Sequence, residues 1–222
     1  MIYTYYIDVT QFENEELFLD KLSLLSPYRQ QKIALLKHRK DKNRSLGAGV
    51  ALDHALEMYG LGEREVEYEF GEWGKPSLKY HPAIHFSLSH SGDYAICSIG
   101  DKPVGNDIER IRMGRLKVAD RFFTPEELAF LYAVQDDEEI TQRMFRIWTM
   151  KESFLKVTGK GISLPLRDFA VMVDEEADRI RVKHTCSAMY YHMKEYKEIP
   201  GYRVAVCAQE SRDVAYSMNP IV

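Results

Sequence analysis

The side chains able to do chemistry concentrate in two runs, Val104-Gly-Asn-Asp-Ile-Glu109 and Trp148-Thr-Met-Lys-Glu-Ser-Phe-Leu-Lys156. The first has the composition of a β-strand, in which residues two apart project to one face. Asp107 and Glu109 should therefore point together while Asn106 and Ile108 face the other way. The second reads as a helix, where residues four apart stack, so Trp148, Glu152 and Lys156 share a stripe. A helix packed on that strand would gather the carboxylates of Asp107, Glu109 and Glu152 beside the ammonium of Lys156. Plainer readings exist for each run alone: the polar face of an edge strand, and a surface pair contributing about 0.3–0.5 kcal/mol to its helix. The joint pattern points further. A stripe holding Phe145 and Trp148 should be buried, which carries Glu152 inward, and a buried carboxylate needs a partner.

Magnesium is such a partner, because it takes oxygen ligands and is commonly held by a few carboxylates together with water and substrate phosphates. Nothing in the sequence competes for other chemistry. No His/Cys constellation has zinc spacing, Ser89-His90 lacks a GxSxG context, and no glycine-rich phosphate loop is present. The segment from Arg29 to Arg44 carries Arg29, Lys32, Lys37, Arg39, Lys40, Lys42 and Arg44, with His38 among them and Asp41 as its only acid. It is either a solvated helix face or a local positive field where anions collect. The chain's formal net charge of -4 gives no general attraction to nucleic acid, so an anion-binding role must be local. Basic cluster and carboxylate site together suggest a polyphosphate substrate.

Around these residues the pattern alternates between strands and helices. Ile2 to Val9 reads as a strand and Glu15 to Leu25 as a helix; Ser26-Pro27 opens another helix, with Ser as N-cap. Ser45 to Tyr59 reads as a separate, mostly apolar helix. Ile84 to Ser89 and Tyr94 to Ile99 form a hairpin whose tip would hold Ser89 and His90. Thr124 and Glu127 make a capping box, and the long helix carrying Glu152 should stop at Gly159. Four strand-like runs follow: Phe169 to Val173, Arg179 to Lys183, Tyr190 to Tyr196 and Tyr202 to Ala208. Residues 1–102 and 103–222 thus repeat one order of strand, helices and strands, which hints at duplication around a shared cleft. With 222 residues either half can bury a core. Cys97, Cys186 and Cys207 are far apart and suit a reducing cytoplasm, and neither an export signal nor a membrane span is expected.

The motifs Gly74-Lys-Pro76, Phe86-Ser-Leu-Ser-His-Ser-Gly92, Val104-Gly-Asn-Asp-Ile-Glu109, Arg121-Phe-Phe123, Trp148 to Lys156, Gly159-Lys-Gly161 and Gly201-Tyr-Arg-Val-Ala-Val-Cys207 occur in this order. In this the chain resembles the 4'-phosphopantetheinyl transferases, specifically the long surfactin-synthetase-activating (Sfp) type. The resemblance implies an α+β fold made of a pseudo-twofold pair of similar α/β halves, each a mainly antiparallel sheet with a long helix packed on it. It implies transfer of the 4'-phosphopantetheine arm of coenzyme A to a serine of an acyl or peptidyl carrier protein, with release of 3',5'-adenosine bisphosphate. Asp107, Glu109 and Glu152 would hold Mg2+. Glu152 and Lys156 would be catalytic, and Lys32, Arg44, Ser45, Lys75, Ser89, His90 and Lys156 would bind coenzyme A, with Arg29 as a further candidate. The expected form is a cytoplasmic monomer that binds neither nucleic acid nor membrane.

For docking the carrier, Arg112 to Phe123 offers Arg112, Arg115, Lys117 and Arg121 beside Met113, Leu116, Val118 and Phe122, although an ordinary amphipathic segment would look the same. A different class of activity, a metal-dependent nucleotide pyrophosphohydrolase, would use the same carboxylates with water as nucleophile.

Overall fold

The computed structural model describes residues 1–114, 116–177, 179–209 and 214–221, and of Ile162 the backbone alone; Arg115 therefore lies outside the described residues. Strand β1 (Ile2–Asp8) leads into helices α1 (Glu15–Ser23), α2 (Pro27–Ala34) and α3 (Arg39–Glu57). Two hairpins follow, β2 (Tyr68–Phe70) with β3 (Pro76–Leu78) and β4 (His85–Ser91) with β5 (Tyr94–Gly100). The second half holds β6 (Val104–Arg110), α4 (Leu116–Phe122), α5 (Pro125–Leu131) and α6 (Asp137–Thr158). It closes with β7 (Phe169–Asp174), β8 (Arg179–His184), β9 (Tyr191–Tyr196), β10 (Tyr202–Gln209) and β11 (Tyr216–Pro220).

Local sequence accounts for most of these boundaries. The Ser26 hydroxyl accepts from the Arg29 amide with Pro27 in the first turn of α2, and Thr124 and Glu127 form the capping box of α5. Asp136 caps α6 and Gly159, at φ 68°, ends it in the left-handed conformation that glycine adopts most easily. The basic segment departs from expectation. It is divided between two helices by an extended His38, and α3 runs unbroken from Arg39 through Ser45 to Glu57. The break lets α2 and α3 both press apolar residues, Ile33 on one and Leu46 and Leu52 on the other, into one core with Phe12 and Ile99.

The strands form two main sheets, β11-β1-β5-β4 and β6-β10-β9, with β2-β3 and β7-β8 as separate hairpins. Pairings are antiparallel except β1 with β11, where the end of the chain returns to the first sheet. Helix α3 packs on the first sheet and α6 on the second. The result is the expected α+β arrangement of two similar halves, each a sheet carrying one long helix.

The two sheets face each other along β4 and β6. Among the described residues these strands share no backbone ladder, and serines replace it. The amide of Asn106 donates to the hydroxyl of Ser87 at 3.0 Å, and that of Arg110 to Ser91 at 3.1 Å. Asn106 is fully buried and reaches the Ser87 carbonyl at 3.0 Å and the Ser98 hydroxyl at 2.9 Å, so it is a structural cross-brace. Ser87, Ser89 and Ser91 are two apart, which turns all three toward β6.

Beneath the second half lies an ion pair with no exposed surface on either side chain. Lys151 Nζ sits 2.7 and 2.8 Å from the two oxygens of Glu127 and 2.9 Å from the Phe169 carbonyl. Glu127 also accepts from the amides of Val171 and Thr124, so each charge is fully hydrogen-bonded. Burial draws the Lys151 pKa down, against the pull of Glu127. Lys151→Ala leaves that carboxylate buried without its counter-charge and should cost about 3–5 kcal/mol. Urea denaturation checks this, and a loss below about 1 kcal/mol, the scale of an exposed pair, would contradict it.

Candidate active site

Helix α6 lies directly against β6 at Gly105. A Cβ there would stand 2.1 Å from the carbonyl oxygen of Ser153 and 2.3 Å from the amide nitrogen of Val157, so only glycine admits the helix. Glu152 and Lys156 flank this contact in sequence, and Asp107 lies two residues along the strand. The ammonium of Lys156 is 2.8 Å from Asp107 Oδ1 and 2.9 Å from the Ser89 hydroxyl, which donates to the same carboxylate oxygen at 2.8 Å. Glu109, one strand repeat further, accepts from Ser91 at 2.7 Å. The strand and helix phases thus put Lys156 on Asp107, with Glu152 within electrostatic reach of Asp107, Lys156 and Glu109.

Electrostatically the site is short of positive charge. Asp107 is buried, and its second oxygen, Oδ2, has no hydrogen-bond partner among the described residues. The Glu152 carboxyl is pushed above its usual pKa by burial and then by the negative charge of Asp107, with Lys156 opposing and Glu109 adding to the push. Carboxylates close enough to repel one another, one with an orphaned buried oxygen, fit a hard divalent cation. Among the described residues no three His, Cys, Asp or Glu side chains stand close enough together to hold a metal ion as a group. Part of the shell would have to come from water and ligand oxygens, which is how magnesium is usually held.

Beside the site opens a cleft of about 390 Å³ whose walls include Lys32, Lys75, Glu152 and Lys156 together with Tyr28, Tyr68, Phe70, Trp73 and Phe86. A lining that combines lysines with aromatic side chains suits a phosphorylated, ring-bearing ligand. Lys75 enters from the first half and donates to the Val104 carbonyl at 3.0 Å and, at 3.5 Å, to that of Val157 near the end of α6. Burial lowers its pKa to about 8. Its ammonium thus clasps β6 and α6 together as well as lining the cleft.

The remaining candidates are dispersed. Arg44 pairs with Asp41 and lines a second hollow with Lys40, Asn43, Arg110 and Arg112. Ser45 is buried in α3 and lines neither hollow. Ser89 and His90 belong to strand β4, and the hairpin tip is Gly92-Asp93. His90 lines neither hollow; desolvation first, and then the charges of Arg44, Lys156 and Lys32, hold its pKa below the usual value against a backbone hydrogen bond that raises it. Trp148 is only half-buried. It packs on Phe122 at 6.1 Å and lines a 230 Å³ apolar hollow with Glu109, Arg112, Val118, Met144 and Phe145. The fully buried members of its helix are Ile147, Met150, Lys151, Ser153 and Phe154.

Two supports escaped the sequence reading. Ser91 holds Glu109, and its i+2 spacing from Ser89 was the available signal. The Tyr202 hydroxyl accepts from the Asp93 amide at 2.9 Å and would lie 2.3 Å from a Cβ at Gly92. The Ser91-Gly92 and Gly201-Tyr202 motifs, distant in sequence, thus meet and pin the β4–β5 turn.

Residues 103–207 match the 4'-phosphopantetheinyl transferase superfamily. The chain is 35% identical over 210 residues to the 4'-phosphopantetheinyl transferase Sfp of Bacillus subtilis (strain 168), covering 93% of this chain and 91% of that protein. It is 28% identical over 209 residues to the 4'-phosphopantetheinyl transferase gsp of Aneurinibacillus migulanus, covering 94% and 86%. Among solved structures, a holo-(acyl-carrier-protein) synthase from Bacillus anthracis aligns over 50% of this chain and 96% of its own, with a TM-score of 0.43 and 19% identity.

Gly105→Ala tests the close approach. The clash is with backbone, which cannot rotate away, so the variant should lose roughly 1–3 kcal/mol of stability. Denaturant midpoints equal to wild type would show that α6 does not need this contact.

Proposed function

This chain belongs to the 4'-phosphopantetheinyl transferase family, and from that we propose that Asp107, Glu109, Glu152 and Lys156 form the centre at which it moves the phosphopantetheine arm of coenzyme A onto a carrier-protein serine. The observation that carries the assignment is the cluster itself: Lys156 on Asp107 Oδ1 at 2.8 Å, Asp107 Oδ2 orphaned, and Glu152 with a raised pKa. Magnesium, when bound, would neutralise the pyrophosphate, with Asp107, Glu109 and Glu152 as its protein ligands.

The chain's own groups account for the rest. The aromatic walls and cations of the cleft hold the nucleotide end of coenzyme A, and Lys156 lies where a pyrophosphate would meet the carboxylates. The carrier serine oxygen forms a bond to the β-phosphorus. The bond from that phosphorus to the bridging oxygen breaks, and its electron pair leaves on 3',5'-adenosine bisphosphate. Positioning and charge neutralisation dominate such a transfer. Lys156 supplies a charge-assisted contact to the departing phosphate. Glu152, a carboxylate at the reacting centre, accepts the serine proton.

The apolar hollow of Val118, Phe122, Met144, Phe145 and Trp148, with Arg112 at its edge, adjoins Glu109. We assign it to the carrier, whose serine would then enter opposite the nucleotide cleft. Cys97, Cys186 and Cys207 are free, and no helix among the described residues is long and apolar enough to cross a membrane.

Incubation with coenzyme A, Mg2+ and an apo carrier should add the mass of one phosphopantetheine to the carrier. Adenosine bisphosphate released without a carrier would instead mark hydrolysis. Asp107→Ala and Glu152→Ala should each lower kcat/KM for this transfer by about 10²-fold or more. Lys156→Ala should lower kcat by about 10²-fold. Wild-type turnover by any of the three, in folded protein, removes that residue from the centre.

A further inference from the structure

One wall of the nucleotide cleft is built from two elements with no backbone pairing between them. Helix α2 contributes Tyr28, Arg29 and Lys32, and strand β2 contributes Tyr68 and Phe70. They are joined by a carboxylate that does not itself line the cleft. Glu63, in the short turn Glu63–Glu65 after α3, has no exposed surface. Its Oε2 accepts from the Ser26 amide at 2.5 Å. Its Oε1 accepts from the Ser26 hydroxyl at 2.9 Å, from Arg29 Nε at 3.2 Å and from the Tyr68 hydroxyl. The Glu63 amide donates to Asp53 of α3 at 2.7 Å, so the turn is anchored as well.

Every one of these donors sits on α2, at its cap or on β2. Arg29 adds a direct link between the two elements, since its Nη2 donates to the Tyr68 hydroxyl at 3.3 Å. With Nε and Nη2 so engaged, Arg29 acts as a strut between α2 and β2, whereas Lys32, one turn further along the same helix, is exposed and faces the cleft. A buried carboxylate serving this many donors fixes their positions closely, because any movement leaves a polar group unpaired in the interior.

We infer that Glu63 is a positioning residue for the nucleotide end of coenzyme A. It sets α2 against β2, so that Lys32 and Tyr28 meet the ligand at the right spacing, and it makes no contact with substrate. This rests on the reading of the cleft given above as the coenzyme site. Glu63 acts on affinity for the nucleotide, while the chemistry at Asp107, Glu152 and Lys156 is served by other supports.

The test is a titration of 3',5'-adenosine bisphosphate by calorimetry, paired with steady-state kinetics of transfer, for Glu63→Gln, Glu63→Ala, Ser26→Ala and Lys32→Ala. Glu63→Ala should weaken bisphosphate binding and raise the KM for coenzyme A by about tenfold or more, as expected for loss of a charged hydrogen-bond acceptor. Its kcat at saturating coenzyme A and its KM for the carrier should stay near wild type. Glu63→Gln, which keeps an acceptor oxygen, should recover part of the affinity. Ser26→Ala, which removes one donor outside the cleft, should shift the same constants by roughly threefold. A purely structural role would lower the melting temperature and the folded fraction with KM unchanged, and that result overturns the inference. If the Glu63 variants do not fold, Ser26→Ala decides on the same constants. Weakened binding in Lys32→Ala with unchanged binding in the Glu63 and Ser26 variants removes the positioning role alone. Unchanged binding in Lys32→Ala as well removes the coenzyme reading of the cleft together with it.

Discussion

The contact between Gly105 and the backbone of α6 sets the scale of the whole site. Because a Cβ at this position would overlap the Ser153 carbonyl and the Val157 amide, the helix can approach β6 more closely than side chains normally allow. That approach lets a lysine from a helix and a carboxylate from a strand meet at 2.8 Å while both remain partly shielded from water. Shielding strengthens their interaction and raises the cost of leaving either unpaired. Lys75 fastens the arrangement from the other half by donating to carbonyls of both β6 and α6.

The seam between the halves follows from the same need. Two edge strands meeting in the interior would leave amides and carbonyls unpaired. Here the hydroxyls of Ser87 and Ser91 take amides of β6, while Ser89 and Ser91 orient Asp107 and Glu109. One set of short side chains therefore closes the fold and aims the acids. The site is built on strands and a helix, whose rigidity suits a reaction that depends on placement.

Much of this was legible in the sequence, because strand and helix periodicities are local. The phases of Asp107 and Glu109 and of Glu152 and Lys156, the capping box at Thr124 and the stop at Gly159 follow from residues within one or two turns. What stayed hidden depends on distant partners. The break between α2 and α3 serves a shared core, and β11 gains its partner only by returning to β1. Glu63 looks like any surface acid in its polar turn until Ser26, Arg29 and Tyr68 fold over it. Trp148 shares its stripe with Glu152, yet it faces an apolar hollow because Phe122 of α4 lies under it. The stripe gives the direction of a side chain, and what it meets there is decided elsewhere in the chain.

We propose that Asp107, Glu109 and Glu152 would hold a divalent metal beside the diphosphate of coenzyme A, in the cleft lined by α6 and β2. The most direct measurement is a crystal structure of the protein with coenzyme A and Mn2+ in place of Mg2+, using anomalous scattering to locate the ion. One strong peak is expected within coordination distance of Asp107 and Glu152 and of the diphosphate oxygens, with the adenine ring among Tyr28, Phe70 and Trp73. A peak remote from these carboxylates, or coenzyme A bound outside this cleft, would contradict it.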